Sequence, residues 1–396
     1  MNGSKSLHDR VARHVRDVPR SGIRDFFDLV STTHGVISLG IGEPDFDTPW
    51  RVREAAVYAL EHGATHYTAN AGLPRLRGAI ADYVERMFGV RYDPAEEILV
   101  TVGVSEALDL AVRVLLNPGE EALYPDPGYV SYAPLVTFAH GRPVPVAASG
   151  ADGFRCDAKA YAEKAGGRTR LLLLNYPNNP TGATLSREAA AAIAALARAR
   201  DLVVVSDEIY AELSYEEPHT CMASLPGMRE RTILLHGLSK AWAMTGFRIG
   251  YACGPAPLVA AMTKIHQYSM LCASTPAQEA AIEALAGSGT DVADMRAAYD
   301  GRRRFVHAAL TEMGLPCGLP GGAFYAFPRV AGFGLSARDF AMRLLEEEQV
   351  AVVPGEAFGR AGEGHVRCAY ATTMDELKEA MTRMARFVGR LRGAGS

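Results

Sequence analysis

Short apolar runs alternate along the middle of the chain with segments whose apolar residues recur at helical spacing. Four runs are apolar throughout: Ile98–Val102, Leu171–Leu174, Leu202–Val205 and Ile233–Leu235. Such runs are typical of strands that are buried on both faces of a sheet. Helical patterns follow the first two runs, at Ser105–Leu116 and Ser186–Arg200. This order predicts an α/β fold in which helices sandwich a mostly parallel sheet.

The N-terminal part has a different pattern. Residues 1 to about 35 predict a helical arm and a short helix, separated by a break at Ser21–Gly22, and Val36–Leu39 predicts a short strand. A further helix is expected at about 50–61. Thr48 suits its N-cap, Pro49 its first turn and Gly63 its C-terminal cap.

From about residue 290 the alternation of strands and helices stops. A long helix is expected at about 291–313, then an apolar run at Ala323–Phe327, followed by helix, strand and helix. These elements predict a smaller α+β domain, which the N-terminal segment helps to complete. The expected division is an arm with part of the small domain at 1–45, a large domain at 46–290 and a small domain at 291–396.

Composition narrows the function. Against 41 lysines and arginines stand 45 acidic residues, a formal net charge of −4, which favours neither nucleic acid nor an anionic membrane as a partner. The N-terminus lacks the apolar stretch of a signal peptide, and no run approaches the roughly 20 apolar residues of a membrane helix. The six cysteines form no CxxC pair, so buried thiols are expected instead of disulfides or a zinc site. We therefore expect a cytoplasmic protein without a metal.

Polar residues collect where the predicted strands end. Ligands of parallel sheets bind at the carboxyl ends of the strands. The residues that follow the four runs are Gly103-Val104-Ser105, Asn179, Asp207 with Tyr210, and Ser239-Lys240 with Arg248. Together they offer a helix start, an amide, a carboxylate with a phenol, and an amine with a guanidinium. This set suits an anionic, aromatic cofactor that reacts with amines.

Lys240 is the candidate nucleophile. Only six residues of the chain are lysine, and the other five lie in a tail or in helical stretches. An amine reacts with an aldehyde once it is partly desolvated or lies near another cation. Most lysines are solvated at the surface, but Lys240 alone follows an apolar strand.

The other candidates have structural alternatives. Gly103-Val104-Ser105 could bind phosphate at a helix start or form an ordinary strand-to-helix turn. Asp207 could pair with a protonated ring nitrogen, with Tyr210 donating to a ring oxygen, or it could cap a helix. Arg367 lies in an apolar run near the end of the chain, where it could bind a carboxylate or form an internal ion pair.

With these residues the chain resembles the class I/II aminotransferases, which are fold-type I pyridoxal-phosphate enzymes. The resemblance extends from Ser21 to about Arg390. It rests on the segments SLGIGEPDFDTP, HYTANAGLPRLR, PNNPTG, VVSDEIY, GLSKAWAMTGFRIGY, GGAFYAFP and AVVPGEAFG. The branch that it resembles most includes N-acetyl-diaminopimelate, aromatic and aspartate aminotransferases.

The resemblance implies a role for each matching residue around pyridoxal 5'-phosphate. Lys240 would carry the cofactor and act as general base, Asp207 would pair with the pyridine nitrogen, and Tyr129 would stack on the ring. The ring oxygen would be held by Tyr210 and Asn179. The phosphate would be held by Gly103, Val104, Ser105, Ser239 and Arg248.

The resemblance also implies how substrate and partner bind. Gly42, Asn179 and Arg367 would hold the substrate α-carboxylate, and the Asn179–Pro180 bond would be cis. Tyr67 would reach the phosphate of the neighbouring subunit, which implies a homodimer with shared active sites. The expected reaction moves an amino group between an L-amino acid and a 2-keto acid by a ping-pong mechanism.

Two positions depart from the family pattern. Gly237 stands where several members have a phosphate-binding serine, and Ser239 is a possible substitute. Ser105 stands where some aspartate-using members have a lysine for the distal carboxylate. Arg24 could replace that lysine or form a salt bridge. Phe324, Tyr325 and Tyr129 suggest an aromatic pocket, so the substrate is expected to be dicarboxylic, of aspartate, glutamate or diaminopimelate type, or aromatic.

Two alternatives remain at this point. A carbon–sulfur β-lyase would use the same cofactor residues. A cofactor-sensing regulator would need an added DNA-binding domain, and no basic helix-turn-helix module fits into the roughly 35 residues before the family pattern.

Overall fold

The computed structural model describes Leu7 and residues 10–20, 35–150, 153–287 and 289–393. The helices in these ranges are α1 Arg13–Arg16, α2 Trp50–Glu61, α3 Pro74–Phe88, α4 Gly103–Leu115, α5 Tyr132–Phe138, α6 Ala158–Lys164, α7 Arg187–Ala199, α8 Ala256–Ser269, α9 Thr275–Ala286, α10 Thr290–Glu312, α11 Ala337–Glu348 and α12 Met374–Gly393.

A seven-stranded sheet forms the centre of the fold. Its strands are β2 Ile98–Thr101, β3 Glu121–Asp126, β4 Arg142–Ala147, β5 Thr169–Asn175, β6 Val203–Asp207, β7 Thr232–Gly237 and β8 Gly250–Cys253. Their order is β2-β8-β7-β6-β5-β3-β4, and only β8 runs antiparallel to its neighbours. The expected α/β fold with a mostly parallel sheet is confirmed.

The apolar runs are continuous because helices cover both faces of this sheet. Side chains of a strand point alternately to opposite faces. Leu171 and Leu173 of β5 pack with α4, whereas Leu172 and Leu174 pack with α7. Both sets are buried, so no position of β5 between Leu171 and Leu174 is free to be polar.

Two smaller sheets lie outside the central one. The strand β1 Ile37–Ser38 pairs in parallel with β10 Val350–Ala351. The other sheet has the order β11-β12-β9, with β9 Tyr325–Ala326, β11 Val353–Pro354 and β12 Val366–Ala369. The pairing of β1 with β10 joins an N-terminal segment to C-terminal elements, as the sequence led us to expect. The domain boundaries at 45/46 and 290/291 stay a prediction.

Most predicted elements are present with small shifts of their ends. The helix expected at Ser105–Leu116 begins two residues earlier, at Gly103. The Ala-rich helix has Ser186 as its N-cap, where the Ser186 hydroxyl accepts a hydrogen bond from the Ala189 N–H. The Ala323–Phe327 run forms a strand only at Tyr325–Ala326. The helical prediction for residues 21–34 lies outside the described residues.

The prediction for Thr48 is wrong. Helix α2 has Pro49 at its N-cap and no side-chain cap, and the buried Thr48 hydroxyl instead donates to the Ala243 carbonyl at 2.6 Å. The sequence pattern missed this because the acceptor lies 195 residues away. The Gly63 prediction fits, since Gly63 follows the last turn with a φ of 77°.

Two further observations concern composition. All six cysteines are unpaired, and four are buried, but Cys272 and Cys317 are half-exposed. Within the described ranges, no helix has both the length and the apolar character needed to span a bilayer.

Candidate active site

A cavity of about 480 Å³ opens at the carboxyl edge of the parallel strands. Eleven residues with predicted roles line it: Gly42, Val104, Ser105, Tyr129, Asn179, Asp207, Tyr210, Ser239, Lys240, Arg248 and Arg367. Most come from the ends of β5, β6 and β7, the start of α4, and β12, while Gly42 follows β1, Tyr129 follows β3 and Arg248 precedes β8. The parallel arrangement of the strands therefore brings together residues that are far apart in the chain.

Lys240 follows β7 and points into this cavity. Its Nζ donates to the Gly42 carbonyl at 2.6 Å. Burial lowers the pKa of the amine most; with the opposing charge of Glu43 and the further lowering by Arg367 and Arg248, the pKa is about 8. A substantial part of the amine is therefore neutral near pH 8, which is the form that reacts as a nucleophile or a base.

Asp207 ends β6 and is buried. Its Oδ2 accepts a hydrogen bond from the Tyr132 hydroxyl at 2.9 Å. Burial raises the pKa of Asp207 to about 6, while the Tyr132 hydrogen bond acts in the opposite direction. The carboxylate is therefore expected to be ionised at neutral pH and available to a cationic partner.

Arg367 is a buried cation on β12, with 4% of its surface exposed. Its Nη1 donates to Asn179 Oδ1 at 2.8 Å and its Nη2 to the Gly40 carbonyl at 2.5 Å. Its Nε has no hydrogen-bond partner. The internal ion pair that the sequence left open is absent among the described residues, because both acceptors are neutral oxygens. An unneutralised, partly unpaired guanidinium is suited to a carboxylate ligand.

The start of α4 and Arg248 form an anion-binding corner. Gly103 has a φ of 75°, and a Cβ added to it would lie 2.7 Å from Nη2 of Arg248. Because Gly103 has no side chain, the Arg248 guanidinium can lie against the N-terminus of α4. Backbone N–H groups and the Ser105 hydroxyl at that N-terminus can donate hydrogen bonds to an anion. Gly103 does not itself line the cavity.

The glycine at position 237 is explained by strand packing. Gly237 pairs with Gly250 of β8, and a Cβ at Gly237 would lie 2.9 Å from the Gly250 Cα. A serine does not fit there without a shift of the backbone. Ser239 is the nearby hydroxyl that lines the cavity instead.

Besides Gly103, two described residues with predicted roles do not line the cavity. The expectation that Phe324 lines the substrate pocket is wrong, because Phe324 has no exposed surface and its ring packs in the core against Tyr210 and Tyr299. Tyr67 is 82% exposed and lies outside the cavity. Arg24 lies outside the described residues. The Asn179–Pro180 peptide is cis, as predicted.

Sequence reasoning missed several lining residues. These are Ile41, Glu43, Leu108, Val130, Asn175, Ile209 and Thr245, whereas Tyr325 lines the cavity as expected. Asn175 could have been found, because it is a polar residue directly after an apolar strand, like Asp207. Its Nδ2 donates to the Asp207 carbonyl at 3.0 Å, and its Oδ1 accepts from the Asn179 N–H at 3.0 Å. Asn175 thereby links two strand ends of the site.

The donors fit the cofactor that the resemblance implies. The corner of α4 and Arg248 suits a phosphate, Asp207 suits a protonated ring nitrogen, and the partly neutral Lys240 suits an aldehyde. Asp207 is buried and forms no salt bridge among the described residues, so its negative charge can be balanced by a bound cation.

Comparison with known proteins gives one family. Residues 34–384 match the model of the family described as "Aminotransferase class I and II". A putative aminotransferase of Bacillus subtilis, YugH, is 50% identical over 96% of this chain and 98% of its own length. An aspartate aminotransferase of Pyrococcus abyssi is 45% identical over 92% of this chain and 94% of its own.

Solved structures agree. An aromatic aminotransferase of Pyrococcus horikoshii OT3 superposes with a TM-score of 0.89 at 44% identity, covering 93% of this chain and 99% of that one. The chain belongs to the class I and II aminotransferases and is a pyridoxal 5'-phosphate-dependent enzyme that transfers amino groups between amino acids and keto acids.

Proposed function

We propose that Lys240 carries the cofactor and moves the proton of the reaction, and that the chain uses an aromatic L-amino acid with a 2-keto acid as acceptor. The observation that carries this proposal is the convergence of three groups in one cavity. Three groups line the same cavity of about 480 Å³: the partly neutral amine of Lys240, the buried carboxylate of Asp207, and the buried guanidinium of Arg367, which has no acidic partner among the described residues.

The bound cofactor supplies an electron sink for the electrons of the substrate's Cα–H bond. Asp207 holds the ring nitrogen in its protonated form, which strengthens that sink. The Tyr132 hydroxyl and the link from Asn175 hold Asp207 in place. Tyr210 and Asn179 would hold the ring oxygen, and Tyr129 would pack on the ring.

Lys240 is the proton carrier. Its lowered pKa, about 8, would let the amine take the proton from the substrate Cα and release it again in the same catalytic cycle. Gly42 positions the amine through its carbonyl at 2.6 Å. Two half-reactions use the same groups in opposite directions, so ping-pong kinetics follow.

Arg367 orients the substrate. A carboxylate can accept from both Nη groups, replacing neutral oxygens, or from the unpaired Nε. The low exposure of the guanidinium excludes water and strengthens this interaction. Orientation of the α-carboxylate in turn fixes the direction of the Cα–H bond.

An aromatic side chain fits the remaining surface. Three described cations line the cavity, namely Lys240, Arg248 and Arg367, and each has a role already. The second carboxylate of a dicarboxylic substrate would have no free cation among the described lining residues and would lie near the like charge of Glu43. Ile41, Val130 and Tyr325 offer apolar and aromatic surface instead.

A dicarboxylic substrate is the second candidate. The aspartate aminotransferase of Pyrococcus abyssi, at 45% identity, favours it. On this chain it would require Arg24, which lies outside the described residues, or a cation from a second subunit.

The proposal includes a homodimer with shared active sites in the cytoplasm. Tyr67, Tyr268 and Met270 are large side chains with 82%, 86% and 51% of their surfaces exposed. A second copy would cover such apolar surface, and Tyr67 would then reach the phosphate bound by the partner.

A panel of amino donors with 2-oxoglutarate as acceptor tests the substrate. We expect phenylalanine and tyrosine to give kcat/KM values at least about 10-fold above that of aspartate. A preference for aspartate would contradict the aromatic assignment. Release of ammonia and pyruvate from a cysteine conjugate without any keto acid would instead support the β-lyase alternative.

A further inference from the structure

Tyr325 was expected only as part of an aromatic pocket, but it also contacts other functional residues of the site. It lies on β9 with no exposed surface except where it lines the cavity. Its hydroxyl lies 2.8 Å from the hydroxyl of Tyr210. Tyr325 therefore contacts, through one atom, the phenol that the proposed function assigns to the cofactor ring oxygen.

The ring of Tyr325 contacts a second functional group. The guanidinium carbon of Arg367 lies 4.6 Å from the Tyr325 ring centroid and 4.7 Å from that of Phe358. Two aromatic rings thus restrict the orientation of the guanidinium, in addition to its hydrogen bonds to Asn179 and Gly40. This matters because bidentate binding of a carboxylate depends on the plane of the donor.

A third contact involves Gly42. A Cβ added to Gly42 would overlap the Tyr325 hydroxyl, so the glycine is required where the two meet. The Gly42 carbonyl accepts from Lys240 Nζ at 2.6 Å. Tyr325 therefore contacts Tyr210 and Arg367 directly, and it lies against Gly42, whose carbonyl accepts the hydrogen bond from Lys240.

The direction of the hydrogen bond between the two phenols follows from a count of protons. Tyr210 has one hydroxyl proton, and donation to the cofactor ring oxygen uses it. The proton between the two phenols must then come from Tyr325. Burial raises the pKa of both phenols, so both are protonated at neutral pH.

We propose that Tyr325 is a positioning residue with two separable effects. Its hydroxyl donates to the Tyr210 oxygen and so holds and polarises the Tyr210 hydroxyl as a donor to the cofactor, and its ring fixes Arg367 for the substrate carboxylate. The proposal rests on the roles of Tyr210 and Arg367 in the proposed function.

Tyr325→Phe tests the hydroxyl alone. We expect the dissociation constant for pyridoxal 5'-phosphate to rise about 5- to 10-fold, the effect of one lost hydrogen bond. The pH midpoint of the holoenzyme's visible absorbance should also rise by about half a unit, because a weaker donor stabilises the negative ring oxygen less. Binding of 3-phenylpropanoate, a carboxylate without an amine, should change by less than about twofold.

Phe358→Leu is the matched variant for the ring. It removes the other aromatic face on Arg367 and leaves both phenols intact. We expect 3-phenylpropanoate to bind roughly 5- to 10-fold more weakly, with the cofactor constant and pH midpoint unchanged. Tyr325→Leu should show both effects. If Tyr325→Leu fails to fold, the two other variants still decide the question.

The outcomes separate this inference from the proposed function. If the wild-type protein does not take up the cofactor, the proposed function and the inference both fail. If it binds cofactor and carboxylate, but Tyr325→Phe leaves the cofactor constant and pH midpoint as in wild type, only the inference is overturned. The inference is also overturned if Tyr325→Phe weakens carboxylate binding as much as Phe358→Leu does, since the effects would then not be separable.

Discussion

At the scale of single residues, Lys240 owes its reactivity to its surroundings. Burial, with Arg367 and Arg248 nearby, brings the pKa of its amine from 10.5 to about 8. The lowered value means that the protonated form is the less stable one in the fold. The neutral form is therefore present at pH values where a solvated lysine would be charged.

The uptake of pyridoxal 5'-phosphate by the apo-protein should reflect this pKa. We expect its rate to rise with pH and to level off above about 8, because the neutral amine is the reacting form. Stopped-flow absorbance over a pH series measures it. With Nα-acetyl-lysine as the control, the rate should keep rising towards pH 10.5; a protein profile that does the same would contradict the lowered pKa.

Gly103 offers a second test at this scale. Gly103→Ala places a side chain at a φ of 75° and 2.7 Å from Arg248 Nη2, so the guanidinium must move. We expect a loss of about 1 kcal/mol of stability and a roughly tenfold or greater loss of affinity for pyridoxal 5'-phosphate. Affinity for pyridoxal, which lacks the phosphate, should change little.

Gly78→Ala is the matched control. Gly78 lies inside α3, and a Cβ there would meet nothing within 4 Å. We expect it to stabilise the protein by up to about 1 kcal/mol in urea unfolding and to leave cofactor affinity unchanged. Equal losses for pyridoxal and its phosphate in Gly103→Ala would argue against the phosphate corner.

The sequence predicted residues at strand ends well and predicted side-chain direction poorly. Lys240, Asp207 and Asn179 were found because the ends of parallel strands meet at one edge. Phe324 and Tyr325 were both expected in the pocket, because neighbouring residues of a strand face opposite sides and β9, only two residues long, does not show which of them faces the cavity. No periodicity can be determined from two residues.

At the scale of elements, apolar runs predicted β2, β5, β6 and β7, and three strands of the central sheet were missed. β3 and β4 contain prolines, at Pro125, Pro143 and Pro145, which are unusual inside strands. β4 lies at the edge of the sheet, where prolines are tolerated. β8 begins with Gly250, which is required by the close approach of Val104 and Gly103 and disguises the strand pattern.

The Thr48 hydroxyl connects two loops, and this connection can be tested. Thr48→Val keeps the shape of the side chain but leaves the buried Ala243 carbonyl without its donor at 2.6 Å. We expect a loss of about 1–3 kcal/mol in urea unfolding of the apo-protein. Thr48→Ser keeps the hydroxyl and should lose less than half as much. Equal stability of wild type and Thr48→Val would show that the bond does not stabilise the fold.

At the scale of the whole molecule, the site as proposed is completed by a second copy. The loop with Tyr67 and the end of α8 with Tyr268 expose large side chains. The sequence could not decide this point from patterns within one chain, because an interface and a solvent face differ little in local pattern. The family resemblance alone suggested the dimer.

Sedimentation equilibrium tests the dimer. We expect twice the mass of one chain for the wild type, and the mass of one chain for the double variant Tyr268→Glu with Leu271→Glu, which introduces like charges into exposed apolar surface. Tyr67→Phe should remain a dimer and bind pyridoxal 5'-phosphate about 3- to 10-fold more weakly. A wild-type protein that sediments as a single chain at micromolar concentration would contradict shared sites.

The central claim is that Lys240 carries the cofactor. Reduction of the holoenzyme with borohydride, followed by proteolysis and mass spectrometry, identifies the lysine that bears the pyridoxyl phosphate group. The account predicts the label on the peptide that contains Lys240, and none on any peptide of Lys240→Ala. A label on Lys5, Lys159, Lys164, Lys264 or Lys378 in its place, or undiminished labelling of Lys240→Ala, would contradict it.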